Sequence, residues 1–220
     1  MIHALKKMGD YVQQHSDESL LSQVVENPNS TGDYNTVLLI LFSMNSVGEV
    51  KFDRVRVEEF TTKKLDKYAY KSIRGNQTIF TPTYRIYKNN GGWKKTYGKL
   101  QKCFKKYHSD INKESNEARQ IRGIRDIILD EEKREDIFKA IEDINFSENG
   151  ILTIALENKH NKIKYVGDFE LLTKNLLDKY EKKFYFKYNT KSIGKDNICY
   201  LCSQNKENTY GFVCTFPYTT

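Results

Sequence analysis

The hydrophobic pattern divides the chain into alternating helical and extended stretches. Leu5, Met8, Tyr11, Val12, Leu20, Leu21, Val24 and Val25 recur at helical spacing, and the breaker from Asn27 to Gly32, NPNSTG, closes that first stretch. The longest apolar run, TVLLILFSM from Thr36 to Met44, is rich in strand formers. A turn at Asn45 to Gly48 follows, and then apolar and charged residues alternate from Glu49 to Val57, which predicts a β-hairpin with Lys51, Asp53, Arg54 and Arg56 largely at the surface. A short strand is expected from Tyr84 to Tyr87, with Thr81, Pro82 and Thr83 as a stiff extended lead into it. A Lys-rich helix is expected from about Trp93 to Tyr107. The spacing of Ile121, Ile124, Ile127, Ile128, Ile137, Phe138 and Ile141 predicts one or two amphipathic helices between Lys113 and Ile144. A second hairpin is read from Ile151 to Leu156, a turn at Asn158 to Asn161, and Lys162 to Asp168. A short helix around Phe169 to Tyr180, a strand Phe184 to Tyr188 and a cysteine-containing segment complete the order. Helices and hairpins mixed without repeated strand–helix units predict an α+β fold: mixed antiparallel hairpins with packed helices, plus a small C-terminal zinc-ribbon-like cysteine hairpin. Residues 1–190 are expected to form the main domain, and 191–220 the start of a second module.

Composition narrows the class. At 220 residues, 38% hydrophobic and +7 in formal charge, the chain reads as a globular protein with a sizeable core. No apolar run is long enough to cross a bilayer, and the start, MIHALKK, lacks the features of a secretory signal, so a cytoplasmic location without membrane association is expected. The final residues, Tyr210 to Thr220, read as a strand cut off without a polar tail, as in a fragment of a longer protein.

The charge is regional. Between Lys51 and Tyr107 there are sixteen Lys or Arg against four Asp or Glu, a local balance of +12, so the remainder of the chain sums to −5. Cations interleaved with aromatic residues and broken by Gly-Asn turns suit a polyanion that also offers flat bases, and so point to nucleic acid, RNA before DNA. The competing reading is a solvated surface of Lys-, Asn- and Tyr-rich composition.

Cys199 and Cys202 stand at the spacing used by zinc knuckles, and Cys214 is the candidate third ligand behind the turn at Gln204 to Asn208. Cys103 or a histidine would complete the site, or its other half lies beyond Thr220; the alternative is a pair of reduced, buried cysteines with no metal. Phosphate-loop, nucleophile-elbow and His-Glu-x-x-His patterns are absent, and His3, His15, His108 and His160 are isolated. Asp53, Glu58, Glu59, Lys63 and Lys64 supply the residue types of a metal-dependent nuclease without its spacing, so no enzymatic activity is expected.

The run from Tyr68 to Ile86, YAYKSIRGNQTIFTPTYRI, resembles a segment of the large subunit of the type I-B CRISPR surveillance complex, Cascade. Two further pieces agree with that family in the same order: Tyr165 to Asp168 before a helix, and Cys199 to Cys202 leading through Gly211 to Thr219. The resemblance implies the N-terminal part of a longer, non-catalytic subunit. Such a subunit sits at the crRNA 5′ handle, helps recognise the protospacer-adjacent motif (PAM) on target DNA, contacts other Cascade subunits and helps recruit the helicase-nuclease. The residues meet this implication at two polar loops flanking Arg85. Lys71, Ser72, Arg74, Gly75, Asn76 and Gln77 form one; Asn89, Asn90, Trp93, Lys94 and Lys95 belong to the other. For Asn89 to Gly92 a hairpin turn, and for Trp93 a core anchor, stand as alternatives to base contact.

Overall fold

The apolar run forms strand β1 (Thr36–Met44), whose residues from Val37 to Phe42 are completely buried. A strand without a polar face must be covered on both sides, and here it is flanked within a sheet as well. Strand β2 (Val50–Glu59) pairs with it antiparallel, and a bulge between Leu41 and Phe42 leaves Asp53 as the extra residue. A computed structural model describes residues 20–45, 48–72, 81–106, 114–158, 162–174 and 176, which belong to a compact unit spanning 20–176. The first nineteen residues of the expected N-terminal helix, the strand Phe184 to Tyr188, the cysteine segment and the domain boundary near residue 190 lie outside the described residues.

Helix α1 (Leu20–Val24) precedes the hairpin, and a 3-10 turn (Thr62–Lys64) leads from β2 into the short helix α2 (Leu65–Tyr68). Strand β3 (Tyr84–Ile86) is followed by helices α3 (Gly92–Lys106), α4 (Asn116–Leu129) and α5 (Glu131–Asp143), then by strands β4 (Gly150–Glu157) and β5 (Ile163–Tyr165). The second hairpin is present as expected, since β5 pairs antiparallel with the end of β4. The sheet is not built of antiparallel hairpins alone: β4 runs parallel to β1, Val37 opposite Ile151 through Ser43 opposite Glu157, and the strand order is β2-β1-β4-β3. The stretch from β2 through helices α2 to α5 supplies the long connection between β1 and β4 that parallel pairing needs. The fold is therefore mixed α and β with a mixed sheet.

Side-chain alternation divides the core. Leu38, Ile40 and Phe42 of β1, with Leu152, Ile154 and Leu156 of β4, face the cluster that holds Leu100, Phe104, Ile121, Ile124, Ile128, Ile137 and Ile141 of the three long helices. Val37, Leu39 and Leu41, with Ile151 and Ala155, face a smaller cluster around Tyr34, Tyr68 and Tyr165. Gly150 permits β4 to start against β1, because a Cβ there would stand 2.8 Å from the carbonyl oxygen of Thr36 and 2.7 Å from the Phe146 ring.

Asp130 separates α4 from α5. Its carboxylate accepts hydrogen bonds from the backbone N–H groups of Glu132 (2.9 Å) and Lys133 (3.1 Å), an N-cap that fixes the break between two helices with one continuous apolar face. Those N–H bonds, that of Lys133 foremost, hold its carboxyl below the ordinary aspartate value. A depressed carboxyl contributes stability that is present above its unfolded value and lost as pH falls through its folded one. Asp130→Ala is therefore expected to melt below the parent protein at neutral pH. In thermal melts taken across an acid series the two should converge as pH drops below the aspartate range, about 4.

Candidate nucleic-acid interface

Helix α3 carries six lysines and no acidic residue. Its inner stripe, apolar Trp93, Tyr97, Leu100, Cys103 and Phe104 with the hydroxyl-bearing Thr96, is buried at helical spacing, which turns Lys94, Lys95, Lys102, Lys105 and Lys106 outward and leaves Lys99 half-buried. The inner face is fixed by more than apolar packing: the Tyr97 hydroxyl and the Gln101 amide both donate to the carbonyl of Ile128, each at 3.2 Å. Burial raises the Tyr97 hydroxyl well above its ordinary pKa and pushes the Cys103 thiol up to about 12, so both stay neutral. Cys103 packs in the core of the described unit; Cys199, Cys202 and Cys214 lie outside the described residues. Among the described residues no group of three His, Cys, Asp or Glu is placed to hold a metal ion.

The outward lysines are largely unneutralised. Lys94 pairs with Glu142 of α5 at 2.8 Å, both well exposed, and Lys95 donates to Asn90 Oδ1 at 2.6 Å. Lys99 stands 5.8 Å above the exposed Tyr87 ring. Lys102, Lys105 and Lys106 make no ion pair among the described residues. Gly98 lies amid this lysine surface with open space where a side chain would stand. Six cations from Lys94 to Lys106 present a strip about 18 Å long, at 1.5 Å per residue.

The residues expected from sequence to contact nucleic acid are dispersed in role. Lys71 is drawn inward: it donates to the carbonyl of Val24 at 2.9 Å and pairs with Glu26 at 2.8 Å, while the Ser72 N–H donates to Glu26. Arg85 acts as a clamp, its guanidinium between the rings of Tyr34 and Tyr70 and its Nε donating to the carbonyl of Pro28 at 2.6 Å. Trp93 is only 9% exposed and meets Phe138 edge to face at 5.0 Å, as a core anchor does. Asn89 and Asn90 are exposed in the turn before α3, which connects a strand to a helix and is not a hairpin. Arg74, Gly75, Asn76 and Gln77 lie outside the described residues. Lys94 and Lys95 are where the expectation and the lysine surface coincide. Lys99, Lys102, Lys105 and Lys106 were not among the residues expected from sequence, although their helical phase, with no acid interleaved, was readable.

The cations of β2 and α2 are occupied differently. Glu58, 14% exposed at its side chain, accepts from Arg56 (2.9 Å), Lys64 (3.2 Å), and the hydroxyls of Tyr68 and Tyr165 (both 3.2 Å). Burial lowers Lys64, but its bonds to Tyr165 and Glu58 outweigh that and leave it above an ordinary lysine. Arg54 bridges Asp53 and Glu157, and Lys67 meets Asp168 at 2.5 Å. Among the described residues, Arg54, Arg56, Lys64 and Lys67 of the β2–α2 part are therefore neutralised locally while Lys51 and Lys63 stay exposed, and the densest run of open cations is α3.

Beside the start of α3 a cavity of about 380 Å³ opens between Ile86, Trp93 and Phe146, with Lys88, Lys94 and Glu148 at its rim. No described helix is long and apolar enough to cross a membrane.

Residues 1–185 match the family described as CRISPR-associated protein TM1802 (cas_TM1802), N-terminal domain. No curated protein and no solved structure matches the chain.

Proposed function

The chain belongs to the CRISPR-associated TM1802 family, which places it in CRISPR defence, and from that premise we propose that it is a non-catalytic nucleic-acid-binding subunit of a type I effector complex. In this reading it works beside other Cascade subunits, contacts the crRNA 5′ handle, helps read the PAM on target DNA, and supports recruitment of the helicase-nuclease. The observation that carries the proposal is the outer face of α3, six lysines without an acid on an otherwise buried helix. Such a face neutralises phosphates in a row and carries no base code of its own, in keeping with a subunit that leaves sequence reading mainly to guide pairing.

The test is retention of crRNA and of PAM-bearing duplex by the chain over a salt series. Affinity falling steeply with salt, and preference for the handle or the PAM over an unrelated polyanion, supports the proposal. Displacement by any polyanion regardless of length, strandedness or flanking motif favours instead a basic face that docks an acidic protein. Cleavage in Mg²⁺ or Mn²⁺ that disappears when Asp53 and Glu59 are changed would overturn the non-catalytic assignment.

A further inference from the structure

Resting on the nucleic-acid reading of α3, we propose that the cavity at the head of this helix receives one unstacked nucleobase from the strand whose phosphates lie along the lysines. The walls are Ile86, Trp93 and Phe146, apolar and partly aromatic, and the rim carries Lys88, Lys94 and Glu148. About 380 Å³ is within the range of small-ligand sites, and its chemistry is divided as a nucleotide is: apolar surface for the faces of a planar ring, cations for the phosphate next to it. Ribose and phosphate gain nothing from apolar walls, so the base is the group that fits. Lys94 belongs both to the cavity and to the lysine face, so the lysines of α3 lead to the opening, where Lys94 also pairs with Glu142 and Glu148 joins the lining. A base inside a duplex is stacked and out of reach, which makes the occupant a base from a single strand, a bulge or a nucleotide turned out of its helix. The site supplies what α3 alone lacks, a fixed point that sets where the strand sits.

Trp93 is the sole tryptophan of the chain, so its emission reports this cavity directly. The experiment titrates the protein with a short single-stranded oligonucleotide and with an abasic strand of the same length, following Trp emission and affinity at one low salt concentration. Both strands are expected to bind through charge. The base-bearing strand alone should quench Trp93, and it should bind on the order of tenfold more tightly, the scale of one stacked base. Ser147 is exposed on the cavity wall, so Ser147→Tyr fills the space from the solvent side. It is expected to abolish the difference between the two strands and leave abasic affinity unchanged. Equal affinity and equal emission change for both strands in the parent protein would overturn the base site while leaving the lysine face standing. Failure of both strands to bind would overturn the lysine-face reading, and the base site with it.

Discussion

Replacing Lys95, Lys99, Lys102 and Lys106 together with Gln is expected to weaken single-stranded nucleic-acid binding by on the order of a hundredfold at low salt and to flatten its salt dependence. These four lie at successive i+4, i+3 and i+4 steps of α3, so they occupy one strip of the helix. Each phosphate that is no longer neutralised takes about 0.7 off the slope of log affinity against log salt for a single strand, so four of them reduce it by about 3. Stability should change little, because Lys102 and Lys106 are exposed without ion pairs among the described residues, and Gln is a comparable helix former. The informative comparison is a second variant, Lys64→Gln with Lys67→Gln. Those lysines are already engaged by Glu58, Tyr165 and Asp168, and the variant is expected to lose stability and leave the salt slope close to that of the parent. Unfolding melts and binding isotherms at several salt concentrations separate the two effects.

Gly167→Ala is expected to be among the most damaging single substitutions in the described unit. A Cβ at this position would fall on the backbone carbonyl oxygen of Asp66, 2.8 Å from its carbon and 3.1 Å from the Cα of Lys67. The obstacle is main chain, so no rotamer change relieves it. Relief requires the 3-10 turn Val166–Asp168 to separate from α2, and the packing between them is reinforced on either side. The Lys67–Asp168 pair and the edge-to-face contact of Tyr68 with Tyr165 at 6.1 Å both depend on it. Overpacking of this kind costs about 1–3 kcal/mol, and separating the turn would also break neighbouring bonds. Denaturant unfolding should therefore show a lowered midpoint with the slope retained. An unchanged midpoint would mean the turn does not sit on α2.

The elements were legible where the signal is local. Alternation in β2, the apolar run of β1 and the isoleucine spacing of α4 and α5 each predict what is observed. The pairing of β1 with β4 was not legible, because Val37 and Ile151 meet across more than a hundred residues and a strand buried on both faces carries no period that names its neighbour. For the same reason Lys71 reads as a free loop cation until Glu26 is placed beside it. Trp93 was decidable in principle: it is in phase with Tyr97, Leu100 and Phe104, and that phase puts it on the inner side of the helix. The residues from Tyr165 to Asp168, which in sequence stand out only for a family resemblance, have a packing cause in Gly167 and Asp168.

Lysine acetylation read by mass spectrometry, with and without bound single-stranded RNA, tests the placement of the strand most directly. Lys95, Lys99, Lys102 and Lys106 are expected to be protected when RNA is present, while exposed Lys51 and Lys174 remain as reactive as before. Unchanged reactivity along α3, with protection arising on another face, would contradict the account.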